Sequence, residues 1–374
     1  MFKKIKWILP ILLLVFLMTG CFKKEEPKEK PKDKEPIVEE PKEENYSFSL
    51  VAVGDALIHN GIYNSAYVGN NNYDFKKMFT HIKPIIQQYD LAFYNQETSI
   101  GGKDIGVSTY PNFNSPDEIG LDLIDAGFNL INLATNHTID RGAKAATYSA
   151  NFWKNQKDVY AVGNYASQED RDEVIIKEKN GISYSMLGYT YGTNGIAIPA
   201  GKDYLVNVYN YEKAKADIER VRDKVDILIV SMHWGVEYTH TPTAEQKKQA
   251  KDLADLGVDI IIGHHPHVIQ PIEFIGDTLV IYSLGNFISG QNTEAQRTGM
   301  MAALTVNKKV KGDDVTIEIT DVKGDLFYTI WGPVSVVPFN KLNDGLLYGY
   351  QSIYTKYSNI INQYDDSVQV GIFE

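Results

Sequence analysis

Val258-Asp259-Ile260-Ile261-Ile262-Gly263-His264-His265-Pro266-His267 is an apolar run that ends, across a glycine, in three closely spaced histidines. A short β-branched run bounded by Gly and Pro reads as a buried strand, and open α/β sheets collect their ligands just past the carboxyl ends of such strands. His265 and His267 flank a single proline. From a tight turn both can face one point, and imidazole is a common ligand for zinc, iron and manganese. Three of the chain's eight histidines fall in this one turn, so the stretch predicts a central strand and a metal site at its end.

The same rhythm continues outward. Apolar runs at 47–53, 91–94, 128–133, 183–187, 226–232, 258–262 and 278–282 predict strands, and amphipathic stretches at 74–88, 116–126, 143–155, 212–224 and 243–256 predict helices between them. Met300–Val306 and Val315–Val322 alternate as further strands, and a tyrosine-rich amphipathic stretch follows at 340–364. The expected class is α/β, strands sandwiched between helices. No internal repeat appears, and no break after residue 47 marks a second domain.

Every cluster of metal-capable side chains stands just past a predicted strand. Asp55 follows Gly54, with His59 four residues later; Asn95 and Glu97 follow the second run; Asn136 and His137 the third; His233 the fifth; His265 and His267 the sixth. Any one of these is as well explained by a capped or hydrogen-bonded turn. A series at the same topological place predicts a shared metal site. Beside it, Trp234 and Tyr238 read as wall packing, Glu237 as a solvated turn residue that would otherwise be an acid, base or distant ligand, and Asn286 as a support for the histidine turn.

The N-terminus has a different composition. Lys3, Lys4 and Lys6 precede the apolar stretch Trp7 to Met18, which ends in Thr19-Gly20-Cys21. The stretch is too short to span a bilayer, and its basic flank and small-residue exit predict a signal peptide over 1–20. Met18-Thr19-Gly20-Cys21 resembles the bacterial lipobox, which makes Cys21 the expected lipidation site. As Cys21 is the only cysteine, the mature chain has no thiolate cluster or internal disulfide, and a metal must sit on nitrogen and oxygen ligands. Residues 21–46 are expected to form a charged, coreless linker, since from 23 to 44 only Ile37 and Val38 are apolar. The net charge of −11 argues against nucleic acid as a partner. Membrane attachment would come from the lipid, holding the protein outside the cytoplasm. The expected organisation is then a signal peptide, a linker, a metal-bearing domain over 47–338 and a helical tail over 339–374 packed on it.

Gly54-Asp55, Asn95-Gln96-Glu97, Ala134-Thr135-Asn136-His137-Thr138-Ile139-Asp140-Arg141-Gly142, His233-Trp234-Gly235-Val236-Glu237-Tyr238, Gly263-His264-His265-Pro266-His267 and Tyr282-Ser283-Leu284-Gly285-Asn286-Phe287 together resemble the CapA-type poly-γ-glutamate capsule biosynthesis proteins. The resemblance covers residues 47 to about 305 and implies a β-sandwich flanked by helices of the calcineurin-like metallophosphoesterase type. It also implies a site in which Asp55, Glu97, Asn136, His233, His265 and His267 hold one or two divalent ions, manganese, iron or zinc, with His59 and Asn95 as further candidates and His264 spare. His137 would protonate a leaving group, and Asp140 would either orient it or cap the following helix. The implied partners are poly-γ-glutamate and membrane-bound synthesis or export subunits. Two functions are compatible with this: a metal-dependent, phosphoesterase-like hydrolase, and a non-catalytic metal-binding factor that handles the polyanionic polymer.

Overall fold

Alternation along each strand decides which side chains meet, and in the computed structural model, which describes residues 42–371, it builds two sheets packed face to face. The first runs in the order Ser335–Pro338, Asp314–Ile330, Thr298–Lys311, Glu43–Leu57, Leu91–Asn95, Leu130–Asn132, Tyr160–Val162. Its last four strands are parallel, and Asn286–Ser289 adds a parallel pairing to Glu43–Leu57. The second sheet runs Ile272–Ile275, Thr278–Ile281, Ile260–His264, Ile227–His233, Ile182–Thr190, Lys177–Lys179, with a parallel centre.

Phe48, Leu50 and Phe93 of the first sheet pack between the layers against Ile227, Ile229, Ile260 and Ile262 of the second. The alternate residues face outward. Val51, Val53 and Tyr94 meet Ile119 and Leu123 of the helix Asp117–Ala126. On the other side, Leu228, Val230 and Ile261 meet Ile218 of Tyr211–Val221 and Leu253 of Ala244–Asp255. Helices therefore flank a β-sandwich, as the sequence reading expects. The start of Ala244–Asp255 is set by a capping box between Thr243 and Gln246, which satisfies amides that the first turn leaves without partners.

Three boundaries differ from expectation. The first strand begins at Glu43, inside the stretch read as linker, because Glu43 to Tyr46 pair with Lys311 to Lys308 and Glu43 lies 2.9 Å from Lys309. An opposite-charge pair, Glu43 across from Lys311 with Lys309 beside it, and the packing of Tyr46 against the core extend the strand here. The stretch 74–88 is not one helix; it divides into a 3₁₀ turn, Lys76–Phe79, and a short helix, Lys83–Ile86. Pro84 suits a first helical turn but cannot continue an earlier one. In the tail, the helix is confined to Tyr350–Ile361, whose Ile353, Tyr357 and Ile361 join the core between the sheets. Cys21, the signal peptide and nearly all of the linker lie outside the described residues. Among the described residues no helix is long and apolar enough to cross a membrane.

One irregularity positions the site. In Glu43–Leu57, Phe48, Leu50 and Ala52 face the other sheet while Val51 and Val53 face out, so plain alternation would turn Asp55 away. The pairing with Leu91–Asn95 shifts register between Ala52 and Asp55. A bulge of this kind re-aims the next side chain, and Asp55 points between the sheets. Gly54 makes that path possible: a Cβ there would stand 1.8 Å from the Gly285 carbonyl oxygen, which accepts the Asp55 amide at 3.0 Å.

Candidate metal centre

Strand ends from both sheets meet at one edge of the sandwich. From the first sheet come Asp55, then Glu97 and Asn136 just beyond their strands; from the second come His233 and His264 at strand ends, then His265 and His267 in the turn that follows. All are buried. Their ligand atoms form overlapping sets, each within 4.8 Å of one another: Glu97 with His233 and His265, Asp55 with Glu97 and His267, and Asp55 with His233 and His264. The turn carrying the histidines is forced. His265 has φ of +99° and His267 of +59°, a region that non-glycine residues avoid unless their surroundings impose it.

Hydrogen bonds orient the donors. Asn132 donates to the Asn95 side-chain oxygen at 2.8 Å, and Asn95 donates to Asp55 Oδ1 at 2.8 Å, so a relay of amides crosses three strands and ends on the carboxylate. His267 Nδ1 lies 3.0 Å from Asp55 Oδ2 and 3.1 Å from Asn286 Oδ1, while Asn286 Nδ2 donates to the Gln296 carbonyl at 2.9 Å. Asn286 thus supports the turn, as expected. Asn136 Oδ1 is 2.9 Å from His233 Nε2.

Two groups lack a hydrogen bond. Both carboxylate oxygens of Glu97 and Nδ1 of His265 are buried without a hydrogen bond among the described residues. Glu97 Oε1 comes only within 3.5 Å of His267 Nε2 and 3.8 Å of His233 Nε2; leaving a buried carboxylate without hydrogen bonds is costly, and a cation among Glu97, His233 and His265 would satisfy these atoms. The donor set fits a divalent metal of the manganese, iron or zinc kind.

Electrostatics point the same way. Burial pushes the Glu97 carboxyl well above the usual range, with Asp55 and Glu237 adding repulsion against the pull of His267. Burial also depresses His233 well below its ordinary value, His264 to about 4 and His265 to about 3, so these rings are neutral and able to ligate. His267 is the exception. Burial opposes its charge, yet Glu97 and Asp55 raise it to about 9. The Glu97/His267 pair therefore retains a proton that a bound cation would displace. Asp55 stays below the usual carboxylate range despite burial, held by the His267 hydrogen bond.

His137 lies beside this cluster, following Asn136, with its Nδ1 2.7 Å from Asp140 Oδ2. A carboxylate there can only accept, so Nδ1 carries the hydrogen and Nε2 is the free ring nitrogen. Asp140 does not cap the following helix: that role's position is taken by Arg141, with no side-chain cap, and Asp140 Oδ2 instead also accepts the Phe113 amide at 2.8 Å.

Several expectations change. His264 is not spare; it is fully buried, with Nδ1 2.7 Å from His233 Nδ1 and Nε2 2.6 Å from Ser231 Oγ. A ring that fixes the tautomer of a ligand typically contributes ~10- to 100-fold in metal affinity, so His264→Ala is expected to weaken metal binding by that factor in a competition titration. Unchanged affinity would return His264 to a packing role. His59 stands outside the cluster, its Nδ1 accepting the Gly290 amide at 3.2 Å and its ring edge-on to Phe113. Burial lowers it to about 4. Asn95 donates to Asp55 Oδ1 and so positions that carboxylate. Trp234 is wall packing, bonded through Nε1 to the Tyr282 carbonyl at 2.9 Å. The sequence reading missed Asn132, whose inward parity matches Leu130, and Tyr191, whose ring stacks on His233 at 6.3 Å and contacts His265 at 4.7 Å.

The model of one family, the bacterial capsule synthesis protein PGA_cap, matches residues 49–291, which takes in every strand end that feeds the cluster. The chain belongs to this family. Among PGA_cap relatives, the capsule biosynthesis protein CapA of Bacillus anthracis is 28% identical over 258 residues, covering 66% of this chain and 61% of that protein. The PGA biosynthesis protein CapA of Bacillus subtilis is 28% identical over 297 residues, 73% of this chain and 72% of that one. The chain thus spans about three-fifths of the first relative's length and more of the second's. Among solved structures, a candidate 5'-nucleotidase of Staphylococcus aureus in complex with alpha-ketoglutarate aligns with TM-score 0.45 at 13% identity, over 82% of this chain and 58% of that one.

Proposed function

We propose that this PGA_cap chain is a metal-dependent hydrolase of the phosphoesterase type that acts in poly-γ-glutamate capsule synthesis or export, held by a lipid on Cys21 at the outer face of the cytoplasmic membrane. The observation that carries the reading is the fully buried Glu97 carboxylate, which has no hydrogen bond, in a histidine cluster next to which His137 is already oriented by the Asp140 carboxylate. A purely structural cation has no use for the His137–Asp140 pair. When bound by Glu97, His233, His265 and their neighbours, a divalent cation supplies Lewis acidity toward a phosphoryl or carbonyl oxygen. His137 would act as the imidazolium, with Nδ1–H held by Asp140, which stabilises that charge; it passes the proton taken up at Nε2 to the departing oxygen and is left as the neutral Nδ1–H tautomer. Asn95 and Asn132 keep Asp55 aimed inward, and Tyr191 shields His233 and His265 from solvent.

The net charge of −11 opposes binding of a polyanion over the bulk surface, so a γ-glutamyl substrate would engage through the cleft. The test is metal analysis of the full-length protein purified in detergent, then turnover of phosphomonoesters, phosphodiesters and γ-glutamyl polymer. Bound metal with hydrolysis of one class supports the reading. Metal without turnover on any class favours the alternative assembly factor. For the anchor, Cys21→Ala is expected to leave uncleaved precursor or move the protein out of the membrane fraction; unchanged processing and retention would remove the lipid from the proposal.

A further inference from the structure

Three tyrosines from three separate loops stand exposed around the mouth of the cleft: Tyr110, Tyr191 and Tyr238, at 71%, 49% and 53%. The Tyr191 ring lies nearly parallel to His233, with 7° between the planes, and its hydroxyl donates at 3.1 Å to Asn194 Oδ1, which also accepts from Asn136 Nδ2 at 3.3 Å. The Tyr238 ring is 6.1 Å from His267. Its backbone takes φ of +66°, a value that a bulky residue avoids unless its surroundings impose it, and its amide donates to the Pro266 carbonyl at 2.8 Å. Tyr110 packs edge-on to Phe113, which stands edge-on to His137 at 4.8 Å. Its loop is tied down by the Asn60 amide, which donates to Thr109 Oγ1 at 3.1 Å. Burial and the neighbouring Glu237 raise the Tyr238 hydroxyl to about 12, and Tyr110 adds to that repulsion, so the two rings share one opening.

Positive charge is missing from this rim. Among the described residues no lysine or arginine ion-pairs with Asp55, Glu97 or Glu237. Arg141, on the segment that follows His137, commits its guanidinium to Ser108 Oγ and the Ile105 carbonyl. A polyanion entering here would meet neutral rings and the Glu237 carboxylate, 43% exposed. A sugar suits the same groups: its C–H face stacks on tyrosine, and its hydroxyls donate to the carboxylate.

We propose that Tyr110, Tyr191 and Tyr238 form a subsite at the cleft mouth for a neutral sugar ring carried by the substrate. This rests on the hydrolase reading above and narrows its substrate to a phosphoester whose departing alcohol belongs to a sugar. Hydrolysis breaks the P–O bond to the sugar, with water supplying the new phosphorus–oxygen bond and His137 the proton on the sugar hydroxyl. The three rings are already held in place, so little ordering remains to be done on binding.

The full-length protein in detergent, loaded with Mn²⁺, is titrated calorimetrically with phosphonates in which a methylene replaces the ester oxygen, so that nothing is cleaved: the analogues of glucose 6-phosphate, glycerol phosphate and adenosine 5'-phosphate, and, beside them, an oligomer of γ-glutamate. Wild type is expected to bind the glucose analogue roughly 10-fold tighter than the glycerol one, the scale of a stacked ring. Tyr110→Ala should lose most of that preference, and Tyr110→Phe, which keeps the ring face, should retain it. Unchanged thermal unfolding of both variants verifies their fold. Equal affinity for the glucose and glycerol analogues, tighter binding of the adenosine analogue or of γ-glutamate, a preference untouched in Tyr110→Ala, or no binding at all would each overturn the proposal. Preference for the glucose analogue in a protein that hydrolyses no ester would keep the subsite and remove the hydrolase reading; hydrolysis without that preference would do the reverse.

Discussion

His137→Ala is expected to keep its metal and lose roughly 10²- to 10⁴-fold in turnover, the usual contribution of a positioned proton donor. The ring follows the ligand-bearing Asn136, but its Nδ1 is committed to Asp140 and no metal-capable set includes it. A donor must stand near the cation without being consumed by it. The defect should depend on the leaving group: large for alkyl phosphoesters, small for nitrophenyl esters, whose leaving oxygen needs no proton. Metal content and kcat measured across such a series check this. Metal lost in parallel with activity would make His137 a ligand, and full activity on alkyl esters would end the catalytic assignment.

Glu97→Gln should separate folding from metal binding more sharply than any other change. The wild-type carboxyl is fully buried without a hydrogen bond, and burial pushes its pKa well above the usual range. In metal-free protein the neutral isostere therefore costs little stability or adds some. For metal it removes the one carboxylate common to both sets of donors, Asp55–His267 and His233–His265. The loss should exceed the ~10- to 100-fold typical of groups that only support a ligand. Thermal unfolding reads both effects. At cation a hundredfold above its Kd, wild type gains about 2.7 kcal/mol, and the variant gains none. An equal gain in both would show that Glu97 is not a ligand.

The sequence exposes the parts of this molecule that repeat a local rule. Apolar runs placed the strands that end at His233 and His264, and the metal-capable residues past them form the observed cluster. Elements governed by pairing across the chain were less legible. Glu43 to Tyr46 read as linker because they continue a charged stretch of low apolar content, and only pairing with Lys308 to Lys311, far along the chain, makes them a strand. His264 looked spare beside His265 and His267 because spacing cannot tell which ring turns between the sheets. Its parity with Ile260 and Ile262 was the available signal. Asp55 was identified from its Gly-Asp turn, yet alternation alone would have pointed it outward, and the register shift that corrects this leaves no mark in composition.

The cluster draws Asp55, Glu97 and Asn136 from one sheet and His233, His265 and His267 from the other. No short contiguous fragment of the chain contains it; the residues span 55 to 267. Closing the long loops between these residues is an entropic cost met before the cleft exists, so an ion that needs the whole donor set would bind after the two sheets have docked. Once there it would act as a rivet across the sandwich, holding two layers otherwise joined by side-chain packing. Interactions formed only after the transition state slow unfolding and leave the folding rate alone. Metal occupancy would thus govern how long the folded protein lasts, and not how quickly it forms.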